Sequence, residues 1–306
     1  MSILRRIKRY VRAQRTPELS NMDRVGMGGE QYADQFLAHP LVVSRIANPV
    51  LPHPSVPNLF VESDFLVYAA GTLFCLEIKN YKGIIYYPNG DKAQIVQQKI
   101  GRYGENIPAK WHRNPLHQVT GFIFRLKQYL GAHVDPRFAG LYIVPVVAFV
   151  RQDDTDISSI WNLSEGMLYV DEISTFFCEK RNPKFLSRPS QWVLNGLQKV
   201  PRPDILITAA GDVLHGFISH SHLSFKENKG RTMEIPFAQI SQIRLNRKGT
   251  FSDSDQVVIV LRNGQQLHHT AVEGMVRFRT LHGDHSVRYL LNLAAITPGC
   301  PPVARM

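Results

Sequence analysis

Residues 64–79 read DFLVYAAGTLFCLEIK, two apolar runs separated by a glycine. Short runs rich in apolar and aromatic residues on either side of a turn residue are typical of β-strands. The stretch predicts strands at Asp64–Ala69 and Leu73–Ile78, with a tight turn at Gly71. It therefore predicts an antiparallel hairpin whose strands lie inside a core.

Charged residues stand only at the outer ends of this hairpin. Asp64 starts the first strand, and Glu77 and Lys79 lie at the end of the second. Side chains alternate between the faces of a strand, so Glu77 and Lys79 are expected on one face, close to Asp64. Two neighbouring carboxylates suit Mg²⁺, which binds one or two carboxylates together with waters and phosphate oxygens. Lys79 could then orient or deprotonate an attacking water and stabilise charge on a phosphate.

The Glu-x-Lys spacing is weak evidence by itself, because Glu227 and Lys229 have the same spacing in a polar turn. A charged sheet edge or a surface ion pair is the competing interpretation of Glu77 and Lys79. The apolar flanks of Glu77, and an aspartate one strand upstream, favour a functional site.

Helical and strand patterns alternate on both sides of the hairpin, from Gly26 to about Val150. They predict a helix at Glu30–Leu37, a strand at Gly83–Tyr87, a helix at Pro115–Leu130 and a strand at Leu141–Val150. This order predicts an α/β domain in which helices pack on a mixed sheet.

Four motifs in this region carry a resemblance to a known family. They are Gly26-x-x-Gly-Glu30, Ser63-Asp64-Phe-Leu-Val, Leu76-Glu77-Ile-Lys79-Asn80-Tyr81-x-Gly83 and Trp111-x-x-Asn114-Pro115-Leu-x-Gln118. In this order, over about residues 24–135, they resemble the NERD (nuclease-related) domain of the PD-(D/E)xK nuclease superfamily. The resemblance implies a restriction-endonuclease-like fold, a mixed sheet with flanking helices.

The resemblance also implies roles for individual residues. The implied catalytic set is Asp64, Glu77, Lys79, Glu30 and Gln118. Asp64 and Glu77 would bind Mg²⁺, or Mn²⁺ in its place, and Lys79 would be the catalytic lysine. Related nucleases carry Gln-x-x-x-Tyr on the helix after the core strands, whereas this chain has Phe122, which lacks the hydroxyl. Glu30 is also explained as a first-turn carboxylate that favours the helix dipole.

Basic and aromatic residues between the hairpin and the second helix are candidates for contact with a nucleic-acid backbone. They are Lys92, Lys99, Arg102, Tyr103, Lys110, Trp111, His112 and Arg113. A solvated loop is the competing interpretation. Phosphate contacts do not read bases, so little sequence specificity is expected, and DNA is favoured over RNA.

The last third of the chain has a different pattern. Seven short apolar segments recur from Ile205 to His269, and an amphipathic pattern predicts a helix at Val276–Leu293. A small β-barrel or sandwich capped by a C-terminal helix accounts for both. The pattern resembles a PH-like or GRAM-like domain over about residues 203–295. That resemblance implies binding to a protein, lipid or nucleic acid rather than catalysis.

Composition and charge limit the possible partners. The 306 residues suffice for about two domains, and 36 Lys and Arg against 25 Asp and Glu give a net charge of +11. Such an excess favours an anionic partner, either nucleic acid or a membrane surface. Residues 1–23 are expected to form a basic amphipathic leader helix, and residues 1–16 to contact a membrane surface in one interpretation.

Cysteine usage and hydropathy indicate the compartment. The three cysteines show no CxxC spacing, and no apolar run approaches the roughly 18 residues that span a bilayer. A reducing cytoplasm fits these features, with a peripheral membrane location left open.

The domain prediction is a leader at 1–23, a nuclease-like domain at 24–165, a connecting segment at 166–202 and a PH-like β domain at 203–306. The predicted function is Mg²⁺-dependent hydrolysis of phosphodiester bonds, in DNA repair or in defence against foreign DNA. The alternative is a non-catalytic nucleic-acid-binding adaptor that recruits a partner through its C-terminal domain. A protein partner for that domain and a homo-oligomer stay open.

Overall fold

A computed structural model gives the fold. It describes residues 29–30, 32–53, 60–99, 101, 105, 107–151, 155–182, 190–208, 213–218, 221–227, 231–246, 255–280, 285–290 and 293–299. The predicted leader at 1–23 lies outside these residues. The described residues form two compact units. The N-terminal unit holds those from 29 to 51 and from 61 to 200, and the C-terminal unit holds 52, 53, 60 and those from 201 onward.

Eleven strands occur among the described residues up to Tyr169. They are β1 (Val42–Ala47), β2 (Val50–Pro52), β3 (Phe60–Glu62), β4 (Phe65–Ala69), β5 (Thr72–Lys79), β6 (Gly83–Tyr86), β7 (Gln94–Gln98), β8 (Lys110–Arg113), β9 (Ile143–Phe149), β10 (Thr155–Asp156) and β11 (Met167–Tyr169). The central sheet has the order β1-β4-β5-β9-β11. Strands β4 and β5 are antiparallel, whereas β9 is parallel to β5 and β11 is parallel to β9. The predicted hairpin and the mixed character of the sheet are confirmed.

Four helices accompany these strands. Residues 29, 30 and 32–37 are helical and are called α1, followed by α2 (Pro115–His133), α3 (Ile173–Glu179) and α4 (Gln191–Leu197). The helices predicted at 30–37 and 115–130 are confirmed. No helix in the described part of the chain is long and apolar enough to cross a membrane.

Both faces of the β4–β5 hairpin are buried, which explains its nearly continuous apolar sequence. One face carries Leu66 and Cys75 in a core shared with Phe122 and Leu126 of α2. The other face carries Phe65, Val67, Phe74 and Leu76 in a second core, shared with Ala33 and Leu37 of α1 and Phe176 and Phe177 of α3. The sheet is therefore packed on both sides, and its polar residues can be tolerated only at its ends.

Helix α2 begins where the sequence predicts it. Asn114 caps the helix, since its side chain accepts a hydrogen bond from the Leu116 N–H at 2.9 Å, and Pro115 occupies the first position. The Asn114 Nδ2 also donates to the Lys92 carbonyl at 2.7 Å, which fixes the helix start against the loop before β7. Asn114 therefore has a structural role.

The segment at 166–202, expected as a connection between domains, contributes to the N-terminal unit. Strand β11 extends the central sheet, and Met167, Phe176, Phe177 and Leu197 are buried in the two cores. These apolar residues need the sheet to cover them, which explains why the segment packs with it.

The C-terminal unit is built from strands. They are β12 (Asp204–Thr208), β13 (Val213–Ile218), β14 (His222–Glu227), β15 (Thr232–Pro236), β16 (Ile240–Asn246), β17 (Asp255–Leu261), β18 (Gln266–Thr280), β19 (His285–Tyr289) and β20 (Leu293–Thr297). The seven predicted strands correspond to β12–β18. The sheet closes into a barrel, because β13 pairs with both β12 and β18.

The helix predicted at Val276–Leu293 is wrong. Strand β18 continues to Thr280, and β19 and β20 follow it. Val276 and Phe278 are buried, whereas Met275 and Arg277 between and beside them are exposed, which is the period of a strand. Strand β18 forms backbone hydrogen bonds with β13, β14, β17 and β19, and these pairings outweigh the helical pattern of the sequence.

Asp204 ties three strands of the barrel together. Its Oδ2 accepts a hydrogen bond from the Ile218 N–H at the end of β13, and its Oδ1 accepts one from the Gly299 N–H beyond β20, both at 2.6 Å. Burial raises the pKa of Asp204, and the two N–H groups oppose that shift. Gly299 is needed there, since a Cβ would lie 2.3 Å from the carbonyl oxygens of Arg202 and Pro203.

Replacing Asp204 by alanine should destabilise the C-terminal unit by roughly 2–4 kcal/mol, because two buried backbone N–H groups lose their acceptor. Urea unfolding monitored by circular dichroism measures the loss. Glu234→Ala, at an exposed position on β15, is the control and should stay near the wild-type stability. An Asp204→Ala protein as stable as this control would refute the role of Asp204.

Candidate active site

The register of the β4–β5 hairpin brings the two predicted metal ligands together. Phe65 pairs with Leu76, so one further step along the ladder sets Asp64 opposite Glu77. The Ile78 N–H donates a hydrogen bond to the Asp64 Oδ2, which fixes the aspartate against the end of β5. Alternation places both carboxylates on the sheet face that α2 covers.

Glu77 is the buried centre of the site, with 5% of its surface exposed. Its Oε1 accepts a hydrogen bond from the Lys79 Nζ at 2.6 Å and another from the Gln118 Nε2 at 2.9 Å. Lys79 lies two residues further along β5, and Gln118 is in the first turns of α2. The structure thus brings together Asp64, Glu77, Lys79 and Gln118, as the sequence predicts.

Charge repulsion governs the acidic pair. Burial raises the pKa of Asp64 well above its usual range, and the nearby carboxylates of Glu77 and Glu30 raise it further. Burial works against the charge of Lys79, but its ion pair with Glu77 outweighs burial and raises the pKa of the lysine. The cluster therefore combines the positive charge of Lys79 with carboxylates whose repulsion opposes their simultaneous ionisation.

Glu30 extends the cluster from α1. Burial raises its pKa to about 7, the Glu62 and Glu77 carboxylates add to the shift, and a hydrogen bond with Asn48 opposes it. Helix α1 starts in close contact with the end of β5, since a Cβ on Gly29 would lie 3.1 Å from the Cβ of Asn80. Glu30 is therefore an acidic member of the site and not only a first-turn carboxylate.

Glu62 is the acidic residue that the sequence analysis missed. It ends β3 and acts electrostatically on Glu30. Its position two residues before Asp64 could have marked it as a candidate site residue in the sequence. Ser63 between them is buried and donates its hydroxyl to the Leu76 carbonyl at 2.9 Å, which ties the segment to β5.

The donor set fits a hard divalent cation. The hydrogen bonds from Lys79 and Gln118 use one oxygen of Glu77, and that from Ile78 uses one oxygen of Asp64. Among the described residues, no group of three or more His, Cys, Asp or Glu side chains forms a ready-made metal site. Mg²⁺ does not need one, because it usually keeps several waters and takes one or two carboxylates.

Phe122, which stands where related nucleases have tyrosine, is buried in the core with Leu66 and Cys75. Beside the site, the Tyr81 ring stacks on His112 of β8, with ring centroids 4.7 Å apart. Burial raises the pKa of Tyr81 and lowers that of His112, so both side chains are driven towards their neutral forms.

The predicted nucleic-acid contacts are only partly grouped. Lys110, Trp111 and Arg113 are exposed on β8. Lys92 forms an exposed ion pair with Glu165 at 3.2 Å, which leaves it less available to a phosphate. Lys99 is partly buried, and Arg102 lies outside the described residues.

Residues 25–150 match the family model of NERD, the nuclease-related domain. This segment is a NERD domain. The match includes β1–β9, helix α2 and all five predicted catalytic residues, and it agrees with the resemblance predicted for about residues 24–135. A comparison with curated proteins gave no match. The match indicates a nuclease-related function for residues 25–150.

The raised pKa of Glu30 predicts a specific dependence of stability on pH. Its pKa is about 7 in the folded state against an ordinary value of 4.5, so the stability it confers when protonated is lost as pH rises through 7. Glu30→Gln should remove this decrease of the unfolding free energy with rising pH, which is roughly 3 kcal/mol at most. Urea unfolding at pH 5 and pH 8.5 measures the difference between the two proteins.

Glu179→Gln is the matched control, because Glu179 is exposed at the end of α3 in the same unit. It should keep the wild-type change of unfolding free energy between the two pH values. A Glu30→Gln protein with that same change would contradict the electrostatic account of the cluster.

Proposed function

We propose that this chain is a metal-dependent nuclease that hydrolyses phosphodiester bonds, with DNA favoured over RNA. The observation that carries the proposal is the pair of facing carboxylates, Asp64 and Glu77, joined to Lys79 inside a NERD domain. The Glu77 carboxylate helps to raise the pKa of Asp64, and a bound cation would remove that repulsion.

Asp64 and Glu77 would hold Mg²⁺, or Mn²⁺, through their second oxygens. When bound, such an ion supplies a Lewis acid and lowers the pKa of a coordinated water. Lys79 stabilises negative charge on the phosphate and orients the attacking water. Gln118 acts as a positioning residue, because its amide fixes the Glu77 carboxylate that holds Lys79. Glu30, with a pKa of about 7, can accept or release a proton near neutral pH.

The finer assignment to the PD-(D/E)xK superfamily belongs to the same proposal. A mixed sheet packed on α2 at one face and on α1 and α3 at the other supports a restriction-endonuclease-like arrangement. Binding through phosphates would give little sequence specificity, as in repair of DNA or defence against foreign DNA. The C-terminal barrel would recruit a protein, lipid or nucleic acid, as a PH-like module does.

A non-catalytic nucleic-acid-binding adaptor is the second candidate. One observation favours it: Lys79 already neutralises Glu77 at 2.6 Å, so the buried carboxylate is satisfied without a metal. In that case the NERD domain would bind nucleic acid and the barrel would recruit the partner.

Cleavage assays separate the two candidates. Supercoiled plasmid, linear duplex, single-stranded DNA and RNA are incubated with the full chain in Mg²⁺, Mn²⁺ or EDTA. Metal-dependent cutting is expected, and Glu77→Gln and Lys79→Met should each reduce its rate by about 100-fold or more, because each removes a charge at the reacting phosphate.

The matched controls are Asp135→Asn and Arg137→Met. They remove an exposed ion pair of the same 2.6 Å length, located after α2. Both should cleave at the wild-type rate. Absence of cutting by the wild type, or cutting that survives both site substitutions, would refute the nuclease, and tight binding without cutting would establish the adaptor.

A further inference from the structure

The small sheet of β10, β6, β7 and β8 has one buried and one open face. Ile85 and Ile95 point into the core of the N-terminal unit and are fully buried. On the opposite face, Trp111 is 62% exposed and Ile84 is 40% exposed. The fold does not require large apolar groups at these two exposed positions.

Strand register shows that these residues form one surface. Val96 pairs with Tyr86 on one side and with Trp111 on the other, so the three side chains lie side by side across the sheet. Val96, between the other two, is only 1% exposed. We call Ile84, Tyr86, Val96, Trp111 and Arg113 the open face.

The sequence of the segment that contains β6, β7 and β8 carries an excess of positive charge, which suits a polyanion. Residues 82–113 contain six basic and two acidic residues, namely Lys82, Lys92, Lys99, Arg102, Lys110 and Arg113 against Asp91 and Glu105. On β8, Arg113 lies two residues after Trp111, so alternation places both side chains on the open face, and both are exposed. Lys110, directly before Trp111, is exposed but lies on the other face of the strand. Asp156 lies opposite Ile84 on β10, which directs an anionic ligand to the β7–β8 side.

We propose that the open face binds the unpaired bases of single-stranded nucleic acid, with one base stacked on Trp111 and a neighbouring phosphate on Arg113. An exposed aromatic ring beside a cation on the same face provides base stacking together with attraction of the phosphate. Bases in a duplex are stacked on each other and offer no free face to Trp111. The inference rests on the proposed function, because it names the substrate class of the same domain.

The chain connects the open face directly to the carboxylate cluster. Strand β6 begins shortly after Lys79, and β8 runs through Asn114 into α2, which carries Gln118. Both strands that carry the exposed residues of the open face are therefore close in the sequence to Lys79 or Gln118. Single-stranded DNA or a single-stranded end is the expected substrate.

Binding can be measured without cleavage. Fluorescence anisotropy of a labelled oligothymidylate of about 20 nucleotides, and of a blunt duplex of equal length, is recorded with the full chain in EDTA. Trp111→Ala should weaken binding of the single strand by at least about fivefold, and Trp111→Phe should lose much less. Tyr142→Ala is the control, since Tyr142 is a 74% exposed aromatic residue elsewhere in the same unit and should keep wild-type affinity.

A selective loss of single-strand affinity in Trp111→Ala supports the inference, whether or not the wild type cleaves. Wild-type affinity in Trp111→Ala, an equal loss for the blunt duplex, or no single-strand binding by the wild type overturns it. Cleavage assayed in parallel keeps the two proposals distinct. A protein that binds through Trp111 without cutting refutes only the nuclease, and one that cuts equally well without Trp111 refutes only the open face.

Discussion

The candidate site depends on the placement of two carboxylates, Asp64 and Glu77, opposite each other at the end of a buried hairpin. Two such charges repel strongly where water is scarce, and the pKa of Asp64 rises accordingly. Three donors make the arrangement tolerable: the Ile78 N–H at Asp64, and the Lys79 ammonium and Gln118 amide at Glu77. Two of these donors are neighbours on β5 and the third lies on α2, so the register of the hairpin and the placement of the helix must agree.

Much of this arrangement could be predicted from the sequence because it is local. The hairpin follows from its apolar runs and Gly71, and alternation then fixes Glu77 and Lys79 on one face. Gln118 needed the family resemblance, since no local pattern links α2 to Glu77. Glu62 was missed because its effect on Glu30 depends on β3 and α1 approaching each other, and their sequences show no sign of this.

The C-terminal unit shows the limit of periodicity as evidence. Residues 276–293 satisfy a helical pattern, yet Val276 and Phe278 alternate with exposed neighbours on a long strand. Pairing with neighbouring strands makes this segment a strand, and a local sequence pattern gives no information about those partners. The segment at 166–202 was expected to be a connection between domains for a related reason. Its strand, β11, is short, and its apolar residues show no clear pattern without the sheet on which they pack.

Binding and chemistry would be divided between the two sheets of the N-terminal unit. The central sheet holds the buried charges, which need a low-dielectric setting to be strongly coupled. The small sheet presents Trp111 and Arg113 to solvent, where a flexible polyanion can reach them. Helix α2 connects the two sheets, because its N-cap Asn114 directly follows β8 and its Gln118 donates a hydrogen bond to Glu77 of β5.

The central claim is that Asp64 and Glu77 form one cation site. Anomalous diffraction from crystals of the full chain grown with Mn²⁺ tests it most directly. The account predicts an anomalous peak in contact with one oxygen of each carboxylate, with Lys79 still beside Glu77. A map in which Mn²⁺ avoids both carboxylates, with Lys79 remaining the partner of Glu77, would contradict it.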